Sequence, residues 1–170
     1  MDGCTFARLL FRVSPPPMFL PLRAFRYGHT NAMITRGVIY GVLGWLIEIL
    51  WTGTGSILRR DPRLRATTYL WMFPIYAFGG LLCERLHGLI RGQPWVLRGL
   101  VWTVAIFTIE YCTGRLIRAW VGQSPWNYDG APLAVDGLIR LDYAPAWFLL
   151  GLGFERVHDA LRTVLPVVPP

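Results

Sequence analysis

Four glutamates interrupt stretches that are otherwise apolar: Glu48, Glu84, Glu110 and Glu155. Two of them open the pattern Glu-x-x-His, as Glu84-Arg85-Leu86-His87 and Glu155-Arg156-Val157-His158. That spacing places acid and imidazole on one face of a helix. In chain order the set reads Glu, Glu-x-x-His, Glu, Glu-x-x-His, the ligand set of ferritin-like dimetal bundles. Carboxylate with imidazole suits iron or manganese, and open positions there would allow oxygen chemistry. Glu48, Glu84, His87, Glu110, Glu155 and His158 are therefore one candidate metal set. Depth speaks against it. Glu48 and Glu110 follow Arg36 and Arg98 by about 18 Å of helix, while Glu84 and Glu155 precede Arg91 and Arg162 by about 10 Å, a mismatch of about 8 Å.

The same carboxylates have two other readings. An ionisable group at the centre of a bilayer costs about 2.5–3.5 kcal/mol, so four left unpaired would cost about 10–14 kcal/mol. They must be neutral, paired, metal-bound or near the interface. In one reading Arg85, Arg115 and Arg156 pair with them and tie the helices together. In the other, Glu48 and Glu110, with Tyr111 and Arg115, line a polar interior that binds a cation or relays protons.

The elements that would position these groups follow from composition. The chain has 170 residues, 54% hydrophobic, 14% aromatic and 16% charged, against about 25% charged in an ordinary soluble domain. This argues against a chain that is wholly a disordered tail, against a highly charged nucleic-acid binder and against a typical soluble enzyme of this size. Net charge is +7, with every basic residue an arginine. The arginines sit between apolar runs, as at a bilayer surface, not in a patch for nucleic acid. Cys4, Cys83 and Cys112 imply neither a disulfide framework nor a CxxC metal site.

Spanning helices need about 20 mostly apolar residues. Four segments qualify, at about 37–58, 66–90, 99–120 and 143–165, the last being the weakest because Glu155, Arg156, Asp159 and Arg162 fall in it. Pro74 should kink the second. Gly37-x-x-x-Gly41 and Gly88-x-x-x-Gly92 let helices approach closely, and Trp51, Trp71, Trp95 and Trp120 fall near helix ends, as in an interfacial belt. No internal repeat stands out. Between the third and fourth spans, Trp126, Tyr128, Asp129, Asp136, Arg140 and Asp142 crowd one loop, which either folds over the bundle mouth or caps helix ends; Trp126, Tyr128, Asp129 and Arg140 are its candidate site residues. There is no phosphate loop, which argues against NTP hydrolysis within this chain.

Several short runs occur in one order: Gly44-Trp45-Leu46-Ile47-Glu48, Pro74-Ile75-Tyr76-Ala77-Phe78-Gly79-Gly80, Glu110-Tyr111-Cys112-Thr113-Gly114, Pro125-Trp126-Asn127-Tyr128 and Gly137-Leu138-Ile139-Arg140-Leu141. Together they resemble the bacterial family labelled putative ABC-transporter type IV permeases and its eukaryotic TMEM-type relatives, over residues 37–161. The resemblance implies a four-span membrane protein. Glu48 and Glu110 match the family pattern, and Glu84 and Glu155 are closer to the eukaryotic-type version. Asn127 stands where the family has Asp, and Asp129 where it has Ser.

The expectation is thus an all-α, integral membrane four-helix bundle: a flexible or interfacial tail over residues 1–35, a four-span domain over 36–165 and a C-terminal tail over 166–170. Residues 1–32 could instead precede the true start, at Met18 or Met33. Arginine counts place the termini in the cytoplasm by a narrow margin, and the membrane expected is the cell inner membrane. The function expected is permease-like or transporter-accessory, with a carboxylate cluster for a cation or protons. The alternatives are an intramembrane dimetal-carboxylate enzyme acting on lipid or another apolar substrate, with iron or manganese, and a structural membrane subunit. Expected partners are the lipid bilayer and a membrane subunit or second copy, with no nucleic acid.

Overall fold

The computed structural model describes residues 22–165, with side chains from residue 31 onward. Four helices account for most of these residues: α1 (Leu22–Leu58), α2 (Met72–Ile90), α3 (Trp95–Val121) and α4 (Ala144–Val164). A two-residue antiparallel pair, β1 (Ala134–Val135) and β2 (Ile139–Arg140), and a 3-10 turn (Leu141–Tyr143) lie between α3 and α4. Residues 22–35 of the expected N-terminal tail form the start of α1, while residues 1–21 and 166–170 lie outside the described residues.

The breaks sit where backbone chemistry requires them. α1 stops at an arginine pair, with Arg60 in the left-handed region (φ 54°) and Pro62 beyond. α3 starts after Pro94 and ends at Gly122, φ 90°, a left-handed cap that glycine adopts without strain. The second helix begins at Met72, not near residue 66, so Pro74 falls in its first turn. A proline there removes no helical hydrogen bond, so the reason for expecting a mid-helix kink is gone. Residues 65–69 instead run beside α1, whose side chains satisfy their backbone. The Ser56 hydroxyl donates to the Arg65 carbonyl, the Thr67 N–H donates to Thr52 Oγ1 (3.0 Å), and Trp45 Nε1 donates to the Tyr69 carbonyl (3.0 Å).

The helices run up, down, up and down, and two closely packed hairpins result, α1 with α2 and α3 with α4. Each hairpin closes on a glycine. A Cβ on Gly80 would stand 2.6 Å from the Tyr40 ring, and one on Gly151 would overlap Trp102. Gly37 and Gly41 receive Leu81 and Phe73, whereas Gly88 and Gly92 face open space, so only the first of the two small-residue spacings brings helices together among the described residues.

These equivalences expose a repeat that the sequence conceals. Arg36, Gly37, Tyr40 and Glu48 of α1 recur as Arg98, Gly99, Trp102 and Glu110 of α3 at one constant offset. Pro74, Tyr76, Gly80, Glu84, Arg85, His87 and Arg91 recur as Pro145, Trp147, Gly151, Glu155, Arg156, His158 and Arg162 at a second, larger offset. The offsets differ because the loop 122–143 is longer than the loop 59–71. No single period therefore exists, and the expectation of no repeat is corrected. The chain is two copies of one helical hairpin, α1–α2 and α3–α4.

Burial is inverted relative to a water-soluble protein. The buried residues include Arg36, Ser56, His87, Glu155 and His158 beside Tyr40, Ile90, Trp102, Ile117 and Leu138. Large apolar side chains point outward instead, among them Leu50, Leu82, Leu89 (80% exposed), Val104 and Leu149. Two helices, Asn31–Leu58 within α1 and Trp95–Val121, are long and apolar enough to cross a membrane.

Candidate functional site

The ionisable interior forms two layers. At the end where α2 and α4 finish, Arg36 grips Glu84 with both arms of its guanidinium, Nε to Oε1 at 2.6 Å and Nη2 to Oε2 at 3.0 Å. The Tyr40 hydroxyl donates to Glu84 Oε1 (2.9 Å) and lies 3.0 Å from His158 Nδ1. The second hairpin repeats the scheme. Arg98 Nη2 is 3.2 Å from Glu155 Oε2, and Trp102 Nε1 donates to Glu155 Oε1 (2.8 Å).

The histidines cross between hairpins. His158 of α4 lies 3.6 Å from Glu84 of α2, and His87 of α2 lies 3.7 Å from Glu155 and 3.3 Å from Asp159 of α4. Their rings meet edge to face, with centroids 5.4 Å apart. Tyr40 and Trp102 are repeat-mates with different chemistry: a phenol donates and accepts, an indole only donates. Tyr40 therefore bridges Glu84 to His158, whereas Trp102 serves Glu155 alone and His87 Nδ1 is left buried with no hydrogen bond among the described residues.

The second layer lies toward the long loops. Glu48 Oε2 accepts a hydrogen bond from Thr68 Oγ1 (2.7 Å), and Glu110 Oε1 accepts one from Tyr128 OH (3.1 Å). No arginine or histidine pairs with either one among the described residues. Burial, then the Glu110 charge, pushes the Tyr128 hydroxyl well above the usual phenol range, so it stays a donor. Glu110 Oε2 and Trp147 Nε1 are buried without a hydrogen bond among the described residues.

The loop that delivers Tyr128 folds back along α3. Leu138 is fully buried against Gly114, Trp126 Nε1 donates to the Leu138 carbonyl (2.9 Å), and Tyr128 N–H donates to the Gly137 carbonyl (2.8 Å). Gly137 occupies the left-handed region at φ 65°, against Asn127 and Asp129. Asp129 is exposed and holds its backbone turn through Asn127 Oδ1 (2.8 Å). Arg140 chelates Asp142 and packs its guanidinium 4.4 Å over the Tyr143 ring. Hydrogen bonding from Arg140 holds the Asp142 carboxyl below the usual range.

The expected residues thus separate into groups. Glu84, His87, Glu155 and His158 converge, while Glu48 and Glu110 lie in the other layer, and no three His, Cys, Asp or Glu residues form a metal-holding group among the described residues. Where a dimetal bundle would bring two lone carboxylates to the Glu-x-x-His pair, this chain brings Arg36 with Tyr40 and Arg98 with Trp102. Tyr111 bonds Asp136 at the surface (2.6 Å), and Arg115 is exposed and does not line the interior. The arginines that neutralise Glu84 and Glu155 are Arg36 and Arg98; Arg85 and Arg156 point outward. Sequence reasoning took Arg36 and Arg98 for membrane boundaries and passed over Tyr40, Trp102 and Asp159. Their signal was the shared spacing of four between arginine and aromatic on α1 and α3.

No solved structure matches this chain. Family membership and two apolar helices fit a transporter-like membrane protein. The sequence profile of the family described as putative ABC-transporter type IV matches residues 38–168, and the chain belongs to that family.

Proposed function

We propose that the chain is a four-span protein of the cell inner membrane, with both termini cytoplasmic, and that its Glu48–Glu110 layer takes up a proton or a small cation during transport. One observation carries this reading: two carboxylates face the interior with only neutral donors, Thr68 and Tyr128, as partners among the described residues. An uncompensated carboxylate surrounded by hydrocarbon is costly, and a bound proton or cation removes that cost. The Glu84 and Glu155 layer has a different role. Its arginines already supply the opposite charge, so it ties the helices and hairpins together.

The outward apolar side chains support insertion of the whole bundle, including α2 and α4. These two helices carry their ionisable residues mainly toward the interior or near the terminal end. A transporter partner subunit or a second copy of the chain is consistent with the family. The test is ion flux into vesicles containing the purified protein, read with pH-sensitive and cation-sensitive dyes. The proposal expects flux that is abolished in Glu48→Gln and Glu110→Gln. Flux unchanged in both variants overturns it.

A further inference from the structure

A cleft of about 350 Å³ opens where α2 and α4 finish. Its lining includes Glu84, His87, Arg91, His158, Asp159 and Arg162. We propose that this cleft binds a phosphate group, either the headgroup of an anionic lipid or free phosphate. The inference goes beyond the proposed transport role and does not rest on it.

The argument begins with the repeat. Arg91 and Arg162 are repeat-mates, as are His87 and His158, so each hairpin contributes one arginine and one histidine to a single cleft. The two arginines, one from each hairpin, suit a group that presents paired oxygens, as phosphate does, because arginine forks match such oxygens. The two carboxylates in the lining do not oppose this. Glu84 already accepts from both arms of Arg36 and from Tyr40, and Asp159 lies against His87 Nε2. Arg91 and Arg162 have no side-chain hydrogen bond or ion pair among the described residues. They are the charges in the cleft that await a partner.

The repeat breaks in one informative place. Where the second copy has Asp159, the first has Gly88. Gly88 lines the cleft with open space beside it, whereas Asp159 is about half exposed and closes over His87. The His158 flank of the cleft therefore lacks a counterpart of Asp159, and the carboxylate beside it, Glu84, is already held by Arg36 and Tyr40, so the phosphate is expected to seat there, between Arg91 and Arg162.

The test uses the full chain in phosphatidylcholine nanodiscs with no ion gradient, so its outcome is independent of the flux measurement. One arm titrates radiolabelled inorganic phosphate, and the other titrates phosphatidic acid into the discs. The proposal expects saturable binding in at least one arm, near one site per chain. Binding in the first arm identifies free phosphate as a source, and binding in the second identifies a lipid headgroup. Arg91→Gln and Arg162→Gln should each raise the Kd tenfold or more, with Arg63→Gln, at the opposite end, unchanged. If the glutamine variants do not fold, Arg91→Lys and Arg162→Lys keep the charge but lose the fork, and a several-fold weaker Kd is expected. Absence of saturable binding in both arms overturns the proposal. So does equal loss in Arg63→Gln, or a Kd that no folded Arg91 or Arg162 variant changes.

Discussion

Replacing Arg36 with methionine is the most informative perturbation of the fold. The pair it breaks is well shielded, with side-chain exposures of 10% for Arg36 and 14% for Glu84, and two short hydrogen bonds join the partners. Removing one member strands the other charge, which costs about 3–5 kcal/mol for a buried pair. For a chain of this length each kcal/mol moves the midpoint of thermal unfolding by about 2–4 °C, so a loss of about 6–20 °C is expected in detergent or nanodiscs. Glu84→Met should cost a similar amount, since it strands Arg36. The double variant removes both charges and leaves Tyr40 its contact with His158. Replacing both members of a buried pair with apolar residues is often neutral, so the double variant should be milder than either single variant, which requires a coupling above about 3 kcal/mol. Strictly additive losses would refute the reasoning, because they would mean that the pair carries no energy of its own.

Three further outcomes are expected. Gly80→Leu and Gly151→Leu should each lower the thermal midpoint, by about 1–3 kcal/mol of overpacking or more, since each drives a side chain into Tyr40 or Trp102; tolerance of either would break the equivalence of the two hairpins. Tyr128→Phe should weaken the fold by about 1–3 kcal/mol by leaving a buried carboxylate oxygen without its donor, and Thr68→Val should act in the same direction at Glu48, both checked by thermal unfolding. Because Arg140 lowers the Asp142 carboxyl, the tie it makes is fully present above the ordinary carboxylate value of about 3.9 and is lost as pH falls through the lower folded value. A carbon-detected titration should place the Asp142 midpoint below that ordinary value, and Arg140→Gln should restore it.

Much of the architecture was legible in the chain, and the reasons are local. Pro94, Gly122 and the Arg59-Arg60-Asp61-Pro62 run mark helix ends through backbone geometry, which needs no knowledge of neighbours. The start of α2 was misplaced because residues 66–71 are apolar enough to pass for helix, while the partners that hold them extended, Ser56, Thr52 and Trp45, come from another element. The candidate site was half visible. The Glu-x-x-His spacing brought Glu84, His87, Glu155 and His158 into view, and they do meet. Which carboxylate pairs with which cation depends on helix packing, so Arg36 and Arg98 passed for surface anchors and Arg115 for an interior one. The repeat was missed because unequal loops erase a common period.

The central claim is that, among the described residues, Glu48 and Glu110 are the interior carboxylates without a cationic partner, while Glu84 and Glu155 are held by arginine. Reaction of the membrane-embedded chain with an apolar carbodiimide, which adds to carboxyl groups reached from the lipid phase, followed by mass mapping, tests this most directly. Modification at Glu48 and Glu110, with Glu84 and Glu155 spared, is predicted. Modification confined to Glu84 and Glu155 would contradict the account.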